Sequence, residues 1–144
     1  MLDKYINELC KILNIEIPKV SYDTSNFPTE TMMAQVDSSA NTIYIRECSK
    51  TDPDQLFSIA HELRHIWQLK NDEQLFFSNY QPIDIIGSVE KYNLQIAEVD
   101  ANAFGAIVMT DFFRLKPQWN GLPGTVVDEI NKRIKHIEAT EFSQ

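Results

Sequence analysis

Residues 59–67 read IAHELRHIW, a stretch in which a glutamate stands between two histidines four positions apart. On a helix, His61 and His65 lie one above the other on a single face. Zinc accepts imidazole nitrogens at about 2.0–2.1 Å, so the pair is placed to hold one ion. Glu62 lies about 100° round the helix, too far for easy ligation but close enough to reach a water on the metal. The stretch therefore predicts a zinc site with Glu62 as general base.

Helix signals surround this motif. Asp52 is a suitable N-cap, Pro53 fits the first helical position, and Gln55 stands where a capping-box partner would. The apolar residues that follow at helical spacing are Leu56, Ile59, Ala60, Leu63, Ile66 and Trp67. Because the face through Ile59 and Leu63 lies opposite the histidines, the histidines are not simply core residues. We expect this helix to end near residue 69.

A catalytic zinc ion keeps three protein ligands and one open position, so a third ligand is needed. One class of zinc peptidases continues the first motif as H-x-x-G-x-x-H, and Gln68 and Asn71 at the two diagnostic positions exclude that class. The remaining histidine, His136, stands in KRIKHIEAT, and we expect it on a charged helix face rather than at the metal.

The candidate third ligand is Glu98, in QIAEVDANAFG at residues 95–105. The many small residues of this segment allow two helices to approach closely. Gly105 costs a helix about 1 kcal/mol relative to alanine, which predicts that a neighbouring backbone packs there. Asn102 shares the face of Glu98 and is placed to hydrogen-bond the second nitrogen of a ligand histidine. Asp100 lies on the opposite face and is expected to pair elsewhere.

The rest of the chain supplies a simple order of elements. Periodicity predicts helix 2–13, strand 20–22, a hairpin of strands 32–36 and 42–45, then helices over about 93–113 and 125–139. The segment 71–88 is ambiguous. A helix, then strands, then several helices predicts an α+β fold in which a small N-terminal sheet packs on the active-site helix.

Composition narrows the classes of function. The length of 144 residues predicts a single domain over 1–144, and the net charge of −8 argues against direct nucleic-acid binding. Cys10 and Cys48 are too few for a disulfide framework. Charges interrupt the first residues and no apolar run approaches about 18 positions, so we expect a cytoplasmic protein without a membrane span. The oligomeric state is not encoded in any recognisable pattern.

With both motifs in view, the chain resembles zinc metallopeptidases of the gluzincin type, and more specifically the ImmA/IrrE family that is common in prophages and mobile elements. The resemblance rests on IAHELRHIW and AEVDANAFGAIVM and covers roughly residues 40–110. It implies a minimal zincin-like fold, zinc bound by His61, His65 and Glu98, and Glu62 as the base.

Two features depart from the family pattern. Met109 is followed by Thr110, where family members commonly have proline. Members that act on repressors often carry, or are encoded beside, a DNA-binding helix-turn-helix, for which we expect no room in this chain. The resemblance therefore supports the chemistry better than it supports any particular substrate.

These features predict a zinc-dependent endopeptidase that cleaves a specific intracellular protein or peptide substrate, such as a regulator of a phage or mobile element. Glu62 would take the proton of a water and deliver it to the leaving amine. Tyr80 and Tyr92 are candidate donors to the oxyanion, although packing explains most tyrosines. Arg64 is expected either at the cleft rim or, more commonly for arginine, in solvent.

Several alternatives stay open. Strand 42–45 either accepts an extended peptide as a further strand or is an ordinary strand, and Trp119 is expected in the core rather than in the cleft. The chain is alternatively a zincin-fold binding module that sequesters a protein partner without cleaving it. Its docking helix would present an apolar stripe, although such stripes are more often core: Val127, Ile130, Ile134 and Ile137. A third reading is a structural zinc protein with a closed four-ligand shell.

Overall fold

A computed structural model of the chain describes residues 2–71, 82–119 and 121–142. The elements in chain order are α1 (Leu2–Leu13), β1 (Lys19–Ser21), β2 (Ala34–Asp37), β3 (Thr42–Ile45), α2 (Pro53–Asn71), α3 (Ile83–Ile86), α4 (Val89–Asn93), α5 (Ile96–Phe113) and α6 (Gly124–Thr140). The predicted α+β fold is confirmed, with a small sheet and helices arranged as in a minimal zincin-like domain. The short helices α3 and α4 lie in or directly after the segment that the sequence left ambiguous.

Among the described residues, the sheet has three strands in the order β1-β3-β2. Val20 of β1 pairs in parallel with Ile43 of β3, and Val36 of β2 pairs with the same residue in the antiparallel sense. The predicted hairpin is confirmed. The suggestion that β3 receives a peptide as an added strand is wrong, because β3 is the central strand and both of its sides are paired. Strand β2 forms one edge of the sheet.

The start of α2 is only partly as predicted. Asp52 caps the helix, since its carboxylate accepts a hydrogen bond from the backbone N–H of Asp54 at 2.8 Å. Gln55 is not a capping-box partner. Its side chain is buried and donates instead to the backbone carbonyl of Arg46 at 2.6 Å, so it ties α2 to the end of β3.

Helix α2 is held between two layers. On one side, its apolar residues Ile59 and Leu63 are fully buried in a core shared with α1 and the sheet. The hydroxyl of Tyr5 in α1 also donates to the carbonyl of Leu56 at 2.7 Å. On the other side lies α5, in which every residue from 97 to 109 is buried. The two candidate ligand-bearing helices are therefore direct neighbours.

Gly105 explains part of this close approach, although not in the predicted way. A Cβ atom at this position would stand 2.7 Å from Cε2 of Phe57, a ring on α2. The prediction that a neighbouring backbone packs at Gly105 is therefore wrong, because an aromatic side chain occupies that space. The missing side chain leaves room for the Phe57 ring against α5.

Helix α6 covers the outer side of α5. Ile130 and Ile137 are fully buried and pack with Val99 and Ile107 of α5 in a second apolar cluster. Of the stripe that the sequence offered as a docking surface, Ile130 and Ile137 are therefore core, whereas Val127 and Ile134 are half-buried. Within the described ranges, no helix combines the length and apolarity needed to cross a bilayer.

Candidate metal centre

Three side chains from α2 and α5 converge on one point. Nε2 of His61 lies 3.2 Å from Nε2 of His65 and 2.9 Å from Oε2 of Glu98. Nε2 of His65 lies 3.7 Å from Oε1 of Glu98. Ligand atoms around a tetrahedral zinc ion are separated by about 3.3 Å, as bond lengths of about 2.0–2.2 Å require. The spacing of the three groups therefore fits an ion of this size.

The chemistry of the three donors also fits zinc. Two neutral imidazoles and a carboxylate form a ligand set used by catalytic zinc sites, which keep three protein ligands. Among the described residues, this is the cluster of histidine, cysteine and carboxylate groups with the spacing of a metal site. His136 lies exposed on α6 and does not belong to it. The structure therefore brings together His61, His65 and Glu98, the three ligands predicted from the sequence.

The second nitrogen of each histidine has its own partner. Nδ1 of His61 lies 2.8 Å from Oδ1 of Asn102, the residue expected to support a ligand histidine. Nδ1 of His65 lies 2.8 Å from Oε1 of Gln68, a contact that was not predicted from the sequence. The available signal was position, since Gln68 follows His65 by one helical turn and shares its face. Such partners fix the tautomer and ring orientation of metal-binding histidines.

Without a metal ion, the pKa values of the cluster favour a negatively charged Glu98 beside a positively charged His65. Burial raises the pKa of Glu98, but the charge and hydrogen bond of His61 outweigh it and hold that pKa well below its usual range. Burial lowers the pKa of His65, but the hydrogen bond and charge of Glu98 raise it to about 9. An incoming metal ion must therefore displace a proton from the cluster.

Glu62 stands beside the cluster on α2. Burial raises the pKa of its carboxyl group, and the charges of His65 and His61 oppose this shift only in part. The backbone N–H of Val36 on β2 hydrogen-bonds the carboxylate and favours its charged form. A carboxylate whose pKa is raised is a better proton acceptor near neutral pH.

Of the two tyrosines considered as oxyanion donors, Tyr92 reaches the cluster. It lies on α4, whose N-terminus is capped by the Ser88 hydroxyl, and its own hydroxyl donates to Oε1 of Glu98 at 2.6 Å. Tyr80 lies outside the described residues. The role of either tyrosine as a donor to a transition state stays a prediction.

Arg64 is neither at the cleft rim nor in solvent. It is fully buried, its Nε lies 2.7 Å from Oδ2 of Asp100, and its Nη2 lies 2.8 Å from Oε2 of Glu141. Its guanidinium carbon stands 3.6 Å above the ring of Trp67. The expectation of a solvated arginine was wrong because it considered α2 alone, whereas α5 and the end of α6 supply the two carboxylates. Asp100 pairs away from the metal, as expected, and it also accepts from Arg133.

A cavity of about 460 Å³ lies beside the cluster. Phe57 and Asn102 line its inner side, next to His61, and Trp119 lines it from the loop after α5. The Trp119 ring meets Phe57 edge-on at 5.8 Å and also packs on the apolar cluster between α5 and α6. Trp119 therefore caps the core, as expected, and also faces the cavity beside the cluster.

Comparison with known proteins agrees with this geometry. A peptidase family model described as the IrrE N-terminal-like domain matches residues 11–138, a range that contains the histidine cluster, Glu62 and Glu98. Comparisons with curated proteins and with solved structures gave no match. The match confirms the resemblance stated from the two motifs. The chain belongs to the family of IrrE N-terminal-like domains.

Proposed function

We propose that the protein is a zinc-dependent endopeptidase that hydrolyses peptide bonds in a specific protein substrate. The observation that carries the proposal is the position of Glu62 beside the cluster of His61, His65 and Glu98. Membership of a peptidase family supports the same chemistry. The substrate class that we propose is a regulator encoded by a phage or mobile element, because the resembling family is common in such elements.

Each residue of the site would have a distinct task. His61 and His65 present Nε2 atoms, and Glu98 presents its carboxylate, to one ion. When bound, zinc would polarise the scissile carbonyl and lower the pKa of a water molecule. Glu62 accepts the proton of the attacking water on its carboxylate and then delivers it to the leaving amine. The N–H of Val36 stabilises the charged form of Glu62 between turnovers.

We place the substrate along β2. This strand is at the edge of the sheet, and its Val36 N–H points at the Glu62 carboxylate. An extended peptide that pairs with a sheet edge gains backbone hydrogen bonds that do not depend on its sequence. Pairing with β2 would carry a peptide bond past Glu62.

The alternative function is a binding module that holds a protein partner without cleaving it. Its strongest support in the sequence was the apolar stripe of the last helix. Ile130 and Ile137 of that stripe are fully buried against α5, so they are not available to a partner. The alternative now depends on the outcome of the cleavage test.

The test compares zinc-loaded wild type with Glu62→Gln and with Glu16→Gln, which removes an exposed carboxylate outside the site. Each protein is incubated with a peptide library made from a digested bacterial proteome, and new termini are counted by mass spectrometry. We expect Glu62→Gln to keep its zinc and to lose about 10²–10⁴-fold in cleavage rate, while Glu16→Gln matches wild type. Cleavage by Glu62→Gln at the wild-type rate contradicts the role of the base. A zinc-loaded wild type that cleaves nothing favours the binding module.

A further inference from the structure

Gln68 is a fully buried amide whose two ends make different contacts. Its Nε2 donates to the carbonyl of Ala97 and to Oδ2 of Asp100, each at 2.9 Å. Its Oε1 lies 2.8 Å from Nδ1 of His65. One side chain thus connects a candidate zinc ligand on α2 to the backbone and to a carboxylate of α5.

These contacts determine where the His65 proton lies. The carbonyl of Ala97 and the carboxylate of Asp100 only accept hydrogen bonds, so the NH₂ end of Gln68 must face them. Its Oε1 must then face His65, and an amide oxygen also only accepts. Nδ1 of His65 therefore carries a hydrogen, so Nε2 is the nitrogen that gives up its proton and directs its lone pair at a metal ion.

The Gln68 amide is held in place by Asp100, a carboxylate that is itself paired with two arginines. Asp100 receives hydrogen bonds from Nε and Nη2 of Arg64, at 2.7 and 3.0 Å, and from Nε of Arg133 at 2.8 Å. Arg64 also makes a two-point contact with Glu141, and the face of Trp67 closes its other side. Two-point arginine–carboxylate pairs are directional as well as strong, so Asp100 has little freedom to turn away from the amide.

The two histidines of the cluster are therefore supported unequally. Nδ1 of His61 meets the single amide of Asn102, whereas Nδ1 of His65 meets an amide that is itself anchored by a buried ion pair. A side chain that fixes the tautomer and orientation of a ligand histidine contributes to metal affinity without touching the metal.

We propose that Gln68 is a positioning residue for the metal centre, and that Asp100, held by Arg64, is the anchor that keeps its amide turned towards His65. The inference rests on the proposed metal site, but it concerns residues outside the ligand set. It predicts that zinc affinity depends on a buried chain of contacts running from α2 across α5 to the end of α6.

The test uses Gln68→Met and the matched control Gln55→Met. Both replace a buried glutamine of α2 by a side chain of similar volume, but Gln55 hydrogen-bonds the backbone carbonyl of Arg46 rather than a group of the metal centre. Zinc affinity is measured by competition with a chromophoric chelator, and folding is checked by urea unfolding. We expect about 10–100-fold weaker zinc binding for Gln68→Met and an affinity within about twofold of wild type for Gln55→Met.

The outcomes separate this inference from the metal site itself. Equal affinity in Gln68→Met and wild type, or equal losses in the two variants, would overturn the positioning role. A wild-type protein that binds no zinc would overturn the proposed metal centre as well. Asp100→Asn should weaken zinc binding in the same direction as Gln68→Met, and wild-type affinity in that variant would overturn the anchoring role.

A second measurement needs no variant and therefore no assumption about folding. The ¹⁵N chemical shifts of the imidazole rings in zinc-loaded wild type report which nitrogen carries hydrogen. We expect His65 to show a protonated Nδ1 and a coordinated Nε2. The opposite tautomer, with hydrogen on Nε2, would contradict the proposed role of Gln68.

Discussion

The hydroxyl of Tyr92 donates a 2.6 Å hydrogen bond to Oε1 of Glu98, the carboxylate whose other oxygen meets His61. Hydrogen bonds from a hydroxyl to a carboxylate at such distances are charge-assisted and strong. A residue from the short helix α4 therefore orients the candidate ligand of α5. The structure thus supports each of the three candidate ligands by a different neighbouring side chain.

The Tyr92→Phe variant distinguishes two roles of the Tyr92 hydroxyl, which are to orient Glu98 and to donate to an oxyanion. We expect Tyr92→Phe to weaken zinc binding by about tenfold, because Glu98 loses the partner that orients it. At saturating zinc, kcat should return close to the wild-type value, because the hydroxyl is already engaged by Glu98. Chelator competition and steady-state kinetics measure the two quantities, with Tyr22→Phe, an exposed tyrosine, as the control. A kcat that stays low at saturating zinc would instead assign Tyr92 the role of oxyanion donor.

The contact between α2 and α5 is tested at Gly105. Alanine gains about 1 kcal/mol in helix propensity, but its Cβ would stand 2.7 Å from a Phe57 ring atom and force the ring to move. We expect the steric cost to exceed the gain, so that Gly105→Ala lowers the free energy of urea unfolding by about 1–2 kcal/mol.

The control for this substitution is Gly124→Ala, at the start of α6. A Cβ at Gly124 meets no atom within 4 Å, so the same change should be neutral or stabilise the protein by up to about 1 kcal/mol. If Gly105→Ala stabilises the protein as Gly124→Ala does, the close packing of Phe57 does not limit this interface.

Alkaline pH should destabilise the core around α1. Burial raises the pKa of the Cys10 thiol from 9.0 to about 11, so the unfolded chain loses this proton first as pH rises. The contribution of the Cys10 thiol to the free energy of unfolding is complete below about pH 9. It is lost between pH 9 and about 11, because the unfolded state then binds fewer protons than the folded state. Burial also raises the pKa of Tyr5, which acts in the same direction. From pH 8 to 10.5 we expect Cys10 to account for a loss of roughly 1–2 kcal/mol.

Urea unfolding of chelator-treated protein at the two pH values measures this loss. Cys10→Ala should show a smaller alkaline loss than wild type, whereas Cys48→Ala, whose side chain lies outside the core, should show the same loss. An identical pH dependence in Cys10→Ala and wild type would rule out Cys10 as a source of the effect.

Local periodicity was sufficient to predict much of this molecule. The bounds of α1 and β3 agree with those read from the sequence, and the structure brings the predicted ligands His61, His65 and Glu98 within 4.8 Å of one another. These successes depend on helical spacing, on alternation within β3 and on the small side chains of α5, which are properties of short segments. The family match over residues 11–138 covers β3 and all three of these ligands.

The errors have a common physical origin. Arg64 was expected at the rim or in solvent because a helical wheel does not show carboxylates that arrive from other helices. Gln55 was assigned to a cap because its competing acceptor, the carbonyl of Arg46, belongs to another element. Gln68 served only to exclude a peptidase class. Its position one turn after His65 indicated the contact, but the carbonyl and carboxylate that orient its amide belong to α5. Strand order likewise depends on pairing between distant segments, which alternation within β3 does not specify.

The most direct test of the account is the zinc content and affinity of purified wild type beside His61→Ala and Glu98→Ala, with folding checked by circular dichroism. The proposed metal centre predicts one zinc ion per wild-type chain and a loss of at least about 100-fold in affinity for either folded variant. Wild-type affinity in a folded Glu98→Ala protein, or a wild-type chain that takes up no zinc, would contradict it.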